Sequence, residues 1–279
     1  MSYGPEKLLE SLAASLSGGV SALTSFSLFA LSIPSALGVR LPGYALVKLP
    51  LGLRALLPLR LLPGVWLNML HVYCYRDYEI LGTFTPRRGQ VVVDLGAFVG
   101  FYTLRAARLA GPEGCVVSVE PLPQHYCVLE LNARLNKLEN VELVRACIAG
   151  SRGVRRLYVP CYSANASLIE EYAERAGRVE RAVHTRCITL QDLLEETGLK
   201  EIDLLKMDLE GAELEVLESS EDLLDPAIIR RIVVEVHREV VKPYEVSSLL
   251  EEAGYDVLVY EAPGAPEQAF VYAMALKEL

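Results

Sequence analysis

The sequence predicts an α/β fold built on a mostly parallel sheet, with an antiparallel C-terminal hairpin and an apolar N-terminal helical segment in front. Three observations lead there. After about residue 75, short apolar β-branched runs alternate with amphipathic stretches of helical period. The last two runs, at residues 255–261 and 269–276, are joined by Ala262-Pro263-Gly264-Ala265-Pro266, a link too short for a parallel crossover. Before residue 75 the pattern is different: residues 11–39 carry no charge, and residues 11–76 carry no acid.

Taken in order, residues 1–75 form a Leu- and Pro-rich unit that Pro34, Pro42, Pro50, Pro58 and Pro63 divide into short pieces. Residues 76–279 form the second unit. It opens with a strand at 91–95, a glycine loop at 96–100 and a helix to about residue 110. A strand at 115–120 and a helix at 122–136 follow, the helix placing Val128, Leu131 and Leu135 at helical spacing. A third strand is expected at 141–148. Between residues 150 and 196 the alternation lapses into two short strands, 155–159 and 185–188, around a polar helix at 170–176. This insertion lies where an element covering a substrate would sit. Strands at 202–208 and 229–237, helices at 211–219 and 244–253, and the hairpin complete the unit. Strands alternating with helices imply right-handed βαβ units.

Composition narrows the function. Hydrophobic residues make up 52% of the 279, enough for a sizeable core and against disorder. The 27 Lys and Arg against 36 Asp and Glu give a net charge of −9, which argues against nucleic acid as partner, because phosphate neutralisation takes clustered cations. The six cysteines form no CxxC pair and the four histidines are scattered, which argues against structural zinc. The cysteines read as small buried hydrophobes, with Cys161 and Cys187 the first pair to consider for a disulfide.

In doubly wound sheets the ligand lies beyond the carboxyl ends of the strands, and Asp94-Leu95-Gly96-Ala97-Phe98-Val99-Gly100 fits that edge. Dinucleotide sites use G-x-G-x-x-G, whose second glycine admits a pyrophosphate. Here the spacing is Gly96-x-x-x-Gly100, with the bulky Phe98 inside the turn. S-adenosylmethionine has no pyrophosphate. Asp94 suits its ammonium and sulfonium, and Glu120, closing the next strand, can accept hydrogen bonds from its ribose diol.

The glycine loop, then Val119-Glu120-Pro121, then Lys206-Met207-Asp208-Leu209-Glu210-Gly211-Ala212-Glu213 resemble the FkbM-type methyltransferases. The K-x-D-x-E-G-x-E string is the distinctive part. Thr189-Leu190-Gln191-Asp192 resembles the family's approach to it, with Gln191 where Asp is more usual, and Glu235-Val236-His237 resembles the end of the next strand. The resemblance runs from about Tyr78 to the C-terminus. A mostly parallel, Rossmann-like sheet closed by a hairpin is also the shape of a class I methyltransferase. The resemblance implies methyl transfer to oxygen, typically on hydroxyls of secondary metabolites and sugars. It implies that Asp94, Gly96, Gly100 and Glu120 hold the cofactor, with Ala97, Pro121 and Asp208 beside them and Ala146 and Cys147 near adenine.

An alcohol nucleophile benefits from a general base and from exclusion of water. Asp208 is the expected base and His237, ending the next strand, its assistant. Lys206 shares a strand face with Asp208, and Glu210 follows. Each has a plainer reading: Lys206 in a structural ion pair, Glu210 and Glu213 as helix-start acids, His237 as a satisfied buried histidine. Asp208, Glu235 and His237 together would also suit a divalent ion, but no metal is assigned. The acceptor is expected to be a small-molecule or lipid-linked hydroxyl compound. An RNA-directed enzyme is the alternative, and the Asn/Asp-Pro-Pro-aromatic string of amino-directed enzymes is absent after Met207-Asp208. A non-catalytic cofactor-binding or membrane-associated protein is a further alternative, against which the intact acids stand. Residues 11–70 read as a helical cap, as a membrane-docking surface with Arg40, Lys48, Arg54 and Arg60 unopposed by acids, or as a span. A cytoplasmic location, peripheral to a membrane at most, follows.

Overall fold

A computed structural model of the chain describes residues 5–37, 39–62, 64–261 and 267–275. The N-terminal part contains α1 (Pro5–Ser17), α2 (Ala22–Ala36), β1 (Tyr44–Lys48), β2 (Arg54–Pro58) and α3 (Gly64–Leu70). The C-terminal part runs β3 (Val91–Leu95), α4 (Phe101–Ala110), β4 (Cys115–Val119), α5 (Pro123–Leu135), β5 (Val141–Val144), β6 (Cys147–Ile148), β7 (Gly153–Pro160), α6 (Glu170–Ala176), β8 (Val179–Ile188) and α7 (Leu190–Thr197). It continues with β9 (Leu204–Met207), α8 (Glu213–Glu218), β10 (Arg231–His237), α9 (Pro243–Glu252), β11 (Tyr255–Glu261) and β12 (Gln268–Ala275).

Seven strands form the main sheet in the order β11-β12-β10-β9-β3-β4-β5. β12 is antiparallel to both neighbours and the other pairs are parallel. This is the class I methyltransferase arrangement, and the strand order reverses between β3 and β9. Both faces of the central strands are buried, which is why they read as continuous apolar runs. Side chains alternate by two. Val92, Val116, Leu204 and Val233 join one cluster with Phe101 and Leu104 of α4. Val93, Val117, Leu205 and Val234 join the other, with Leu193 of α7, Val216 of α8 and Val246 of α9.

The N-terminal part feeds the first cluster through Leu57, Trp66 and Met69. It is not helical throughout. Residues 44–58 form a β-hairpin, β1 against β2, because the prolines at 42, 50 and 58 confine the chain to two five-residue extended pieces. Asn132 of α5 and Asn136 at its C-cap clamp this hairpin. The Leu56 N–H donates to Asn132 Oδ1 (2.7 Å), and Asn136 exchanges hydrogen bonds with both backbone groups of Arg54. The spanning expectation fails among the described residues: no helix is long and apolar enough to cross a membrane. The break falls at Gly18-Gly19, where a Cβ on Gly18 would lie 2.4 Å from Cys74 Sγ. Arg40, expected without an acid, pairs with Glu180 of β8 at 2.6 Å.

Three further expectations are corrected. The third strand is two: β5 stays in the main sheet, and β6 enters a separate three-stranded sheet with β8 and β7. The strands of the insertion are longer than their apolar cores suggested, since β7 and β8 pair as one antiparallel ribbon. All six cysteines are free, so Cys161 and Cys187 do not bridge; Cys187 stands opposite Cys147 in the β6–β8 ladder. Cys147 and Cys187 are buried, but Cys127 is exposed. The far end of the expected last strand and the link at 262–266 lie outside the described residues.

A buried ion pair ties the segment before β3 to α4. Arg105 donates to both oxygens of Glu79 (2.6 and 2.7 Å), and Arg76 adds a third bond at 2.7 Å. Burial would raise the Glu79 pKa, but the two guanidiniums outweigh it and hold the carboxyl below its usual value. A depressed carboxyl stabilises the fold above its unfolded pKa, about 4.3, and that contribution is lost as pH falls through the lower folded value. Glu79→Gln strands the buried Arg105 and should cost about 3–5 kcal/mol. Melting curves against pH check this: the parent loses stability below about pH 4.3, and the variant, already low, shows a shallower acid limb.

Candidate active site

The turn after β3 is shaped by hydrogen bonds and by the absence of side chains. Gly96 and Ala97 N–H both donate to Val119 O (3.1 and 3.0 Å), which hooks the loop over the end of β4. Gly96 has φ +78°, and a Cβ there would meet Asp208 O at 1.9 Å, so glycine is required on two counts. Phe98 takes φ 51°, rare for a bulky residue. Its N–H donates to Glu120 Oε2 (2.9 Å), and its ring meets His125 edge-on at 4.6 Å. Glu120 Oε1 accepts from Leu122 N–H (2.9 Å), with His125 Nδ1 at 3.4 Å. His125 Nε2 in turn lies 2.9 Å from Ser163 Oγ of the insertion.

These groups wall a cleft of about 670 Å³, including its open mouth, within the range of small-molecule sites. Of the residues expected there, Gly96, Glu120, Pro121, Ala146, Cys147, Asp208 and Glu210 line it. Asp94, Ala97, Gly100, Lys206 and His237 stand outside that lining. Asp94 faces the chain's own cation: its Oδ1 lies 3.1 Å from Lys206 Nζ, and its Oδ2 accepts from Thr103 Oγ1 at 2.7 Å. Lys206 Nζ also donates to Gly96 O (2.9 Å) and Leu95 O (3.3 Å), and it lies 3.5 Å from Asp208 Oδ2. Burial would lower the Lys206 pKa, but Asp94, Asp208 and Glu235 outweigh it and raise it.

Beyond the ends of β9 and β10 the acids converge on one imidazole. His237 donates from Nδ1 to Glu213 Oε1 (2.9 Å), and its Nε2 lies 3.3 Å from Glu210 Oε2 and 3.8 Å from Asp208 Oδ1. Burial opposes the charge on His237, but Glu210, Glu213 and Glu235 outweigh it, so its pKa stands well above the usual value. Burial and the Asp208 carboxylate push Glu210 up to about 8 and Glu235 to about 7. Glu213 starts α8 but serves as more than a helix-start acid, since its Oε1 also accepts from Leu209 and Gly211 N–H (3.1 and 3.0 Å). Glu210 precedes the helix at φ 52°, held by Tyr172 Oη at 2.7 Å.

Sequence reasoning missed Tyr78, His125, Ser163 and Tyr172. The Tyr78 hydroxyl donates to Glu235 Oε2 and reaches Asp208 Oδ2 at 3.2 Å. Tyr172 lies on α6, inside the insertion assigned to covering a substrate, and that position was the one signal pointing to it.

The sequence matches the Methyltransferase FkbM domain over residues 94–257. The chain belongs to the FkbM methyltransferase family. It is 32% identical over 205 residues to methyltransferase sdnD of Sordaria araneosa, covering 63% of this chain and 78% of that protein. It is 29% identical over 202 residues to the 31-O-demethyl-FK506 methyltransferase FkbM of Streptomyces tacrolimicus, covering 63% and 76%. Among solved structures, a SAM-dependent methyltransferase from Aquifex aeolicus superposes with a TM-score of 0.42 at 18% identity, over 71% of this chain and 88% of that one. This FkbM-family methyltransferase uses S-adenosylmethionine. The cleft residues fit that cofactor. Each Glu120 oxygen accepts one backbone N–H and keeps a further lone pair for a hydroxyl, and the bare Cα of Gly96 lets the loop lie flat against the end of β9.

Proposed function

We propose that the protein is an O-methyltransferase acting on a hydroxyl of a small-molecule, sugar or lipid-linked acceptor. The observation that carries this reading is the convergence of Asp208, Glu210 and His237 beside the cleft. S-adenosylmethionine supplies a methyl group on an electrophilic sulfonium. The loop at Gly96, Ala97 and Gly100, with Glu120, Pro121, Ala146, Cys147 and Asp208, holds it, and Asp94 acts from behind by fixing Lys206. Tyr78 and Lys206 engage Asp208 Oδ2, which leaves Oδ1 without a hydrogen-bond partner. The acceptor hydroxyl gives its proton to the carboxylates at the cleft wall, Asp208 and Glu210, while His237, fixed by Glu213, stands behind them. Lys206 keeps the loop and Asp208 in register. The name of the Streptomyces relative refers to an oxygen acceptor, which agrees with this reading.

Glu120→Ala should weaken S-adenosylmethionine binding by about 2–3 kcal/mol, one to two decades. Equal affinity of parent and variant in calorimetry would remove Glu120 from the ribose. Asp208→Asn should lower turnover about 10²–10⁴-fold and change cofactor affinity little. Labelled methyl transfer into fractionated cell extract supplies the acceptor for this assay, and normal turnover would take Asp208 out of the mechanism.

We also propose that residues 1–75 cap the catalytic domain, residues 76–279, and rest on an anionic bilayer. Leu23, Phe26 and Ile33 of α2 and Leu37 at its C-cap are exposed along one stripe, and Leu9 and Leu16 of α1 are exposed as well. Lys48, Arg54 and Arg60 are exposed with no acid between residues 11 and 76. Anionic headgroups match that charge, at about 1 kcal/mol per cation near the surface, whereas a second copy would oppose like to like. Full-length protein should float with phosphatidylserine liposomes and a chain starting at Val72 should not; full-length protein left in the pellet fraction rules the bilayer out.

A further inference from the structure

We propose that Asp208, Glu235 and His237 bind a divalent cation of the Mg²⁺ or Mn²⁺ class. The inference rests on the hydroxyl reading above and deepens it. One ligand atom from each of the three residues lies within 4.8 Å of the other two. At a metal–oxygen distance of about 2.1 Å, neighbouring ligands of an octahedron are about 3 Å apart and opposite ones about 4.2 Å. The His237 Nε2 to Asp208 Oδ1 separation, 3.8 Å, already falls in that range.

Two independent observations point to a ligand. His237 is buried, and its Nε2 has no hydrogen-bond partner although it is aimed at the acids. Asp208 Oδ1 is likewise buried and without a partner. The outer ring is also that of a metal site. A metal-bound histidine donates its other ring N–H to a carboxylate, and His237 does this through Nδ1 to Glu213. The Tyr78 hydroxyl donates to Glu235 and the Lys206 ammonium to Asp208 Oδ2, so each oxygen ligand is oriented by a donor. Five carboxylates gather here, Asp94, Asp208, Glu210, Glu213 and Glu235, against the Lys206 ammonium and the His237 imidazole, while the nearby His71 is taken up by Asp77. A divalent ion offsets that excess. Oxygen ligands with one imidazole suit Mn²⁺ and Mg²⁺ better than the thiolate-seeking metals.

An ion held there would offer a further coordination position to the acceptor oxygen. The hydroxyl proton would pass to Glu210, which is not a ligand, the oxygen would form its bond to the methyl carbon, and the methyl–sulfur bond would break, its electron pair leaving with the sulfur of S-adenosylhomocysteine. Asp208 is then a metal ligand and Glu210 the base.

Mn²⁺ is the probe, read by electron paramagnetic resonance on the full chain without cofactor or acceptor. One Mn²⁺ per chain is expected, displaced by excess Mg²⁺. Glu235→Gln and His237→Gln should each weaken binding at least about 10-fold, and Glu213→Gln, which leaves the ligands in place, about 10–100-fold. Circular dichroism and S-adenosylmethionine affinity establish that the variants are folded. Absence of stoichiometric Mn²⁺ binding at millimolar metal, or binding unchanged in folded variants, overturns the proposal. If chelated enzyme binds no Mn²⁺ and still methylates a hydroxyl at full rate, the cation is wrong and the O-methyltransferase reading stands. If Mn²⁺ binds as described but no hydroxyl compound accepts a methyl group, the cation stands and the acceptor reading fails.

Discussion

The buried pair of Lys206 and Asp94 is the contact on which the site depends. The two side chains come from adjacent parallel strands, and the register sets them directly opposite each other. The ammonium then reaches past Asp94 to two carbonyls of the glycine turn and to Asp208. One cation thus joins the strand that starts the glycine loop to the strand that carries Asp208. Burying an ion is costly, and taking away one member of such a pair costs about 3–5 kcal/mol. A neutral side chain at 206 would remove the donor to Gly96 and Leu95 and leave Asp94 buried against Thr103 alone. Loop shape and acid position are therefore set by one interaction.

The acids at the ends of β9 and β10 are organised around this brace. Glu213 accepts from two backbone N–H groups and from His237, so it fixes the turn between β9 and α8 as well as the imidazole. That turn carries Glu210 in a left-handed conformation. Strain of this kind persists where the surroundings over-determine the backbone, and here Glu213, Ser167 and Tyr172 do so. The K-x-D-x-E-G-x-E string is one folded object: a lysine under the loop, two acids on the cleft wall, a glycine at φ +102°, and a buried acid holding the histidine.

The sheet and this string were legible in the sequence because both are local. Apolar runs of β10 and β3 announce strands buried on two faces, and Glu170–Ala176 is helical where its polarity predicted. The partners were not legible. Tyr78 lies 130 residues from Asp208, Tyr172 lies 38 from Glu210, and no spacing rule links them. The contact of Asp94 with Lys206 was not legible either, because the lysine arrives from a strand far along the chain. The hairpin at residues 44–58 was hidden for a different reason: its leucines carry no clear period, and its outer edge is satisfied by asparagine side chains of α5 rather than by a third strand. Likewise nothing local marks where the chain leaves the main sheet at residues 145–146.

That departure couples two parts of the enzyme. Ala146 and Cys147 wall the cleft, yet Cys147 belongs by its hydrogen bonds to the small sheet of the insertion, with β8 as its neighbour. The insertion also sends Ser163 to His125 and Tyr172 to Glu210. A redesign of the insertion would therefore move that wall of the cleft with it. A graft that exchanges the insertion between relatives must carry residues 147 and 148 along, because β8 and this wall of the cleft share one ladder.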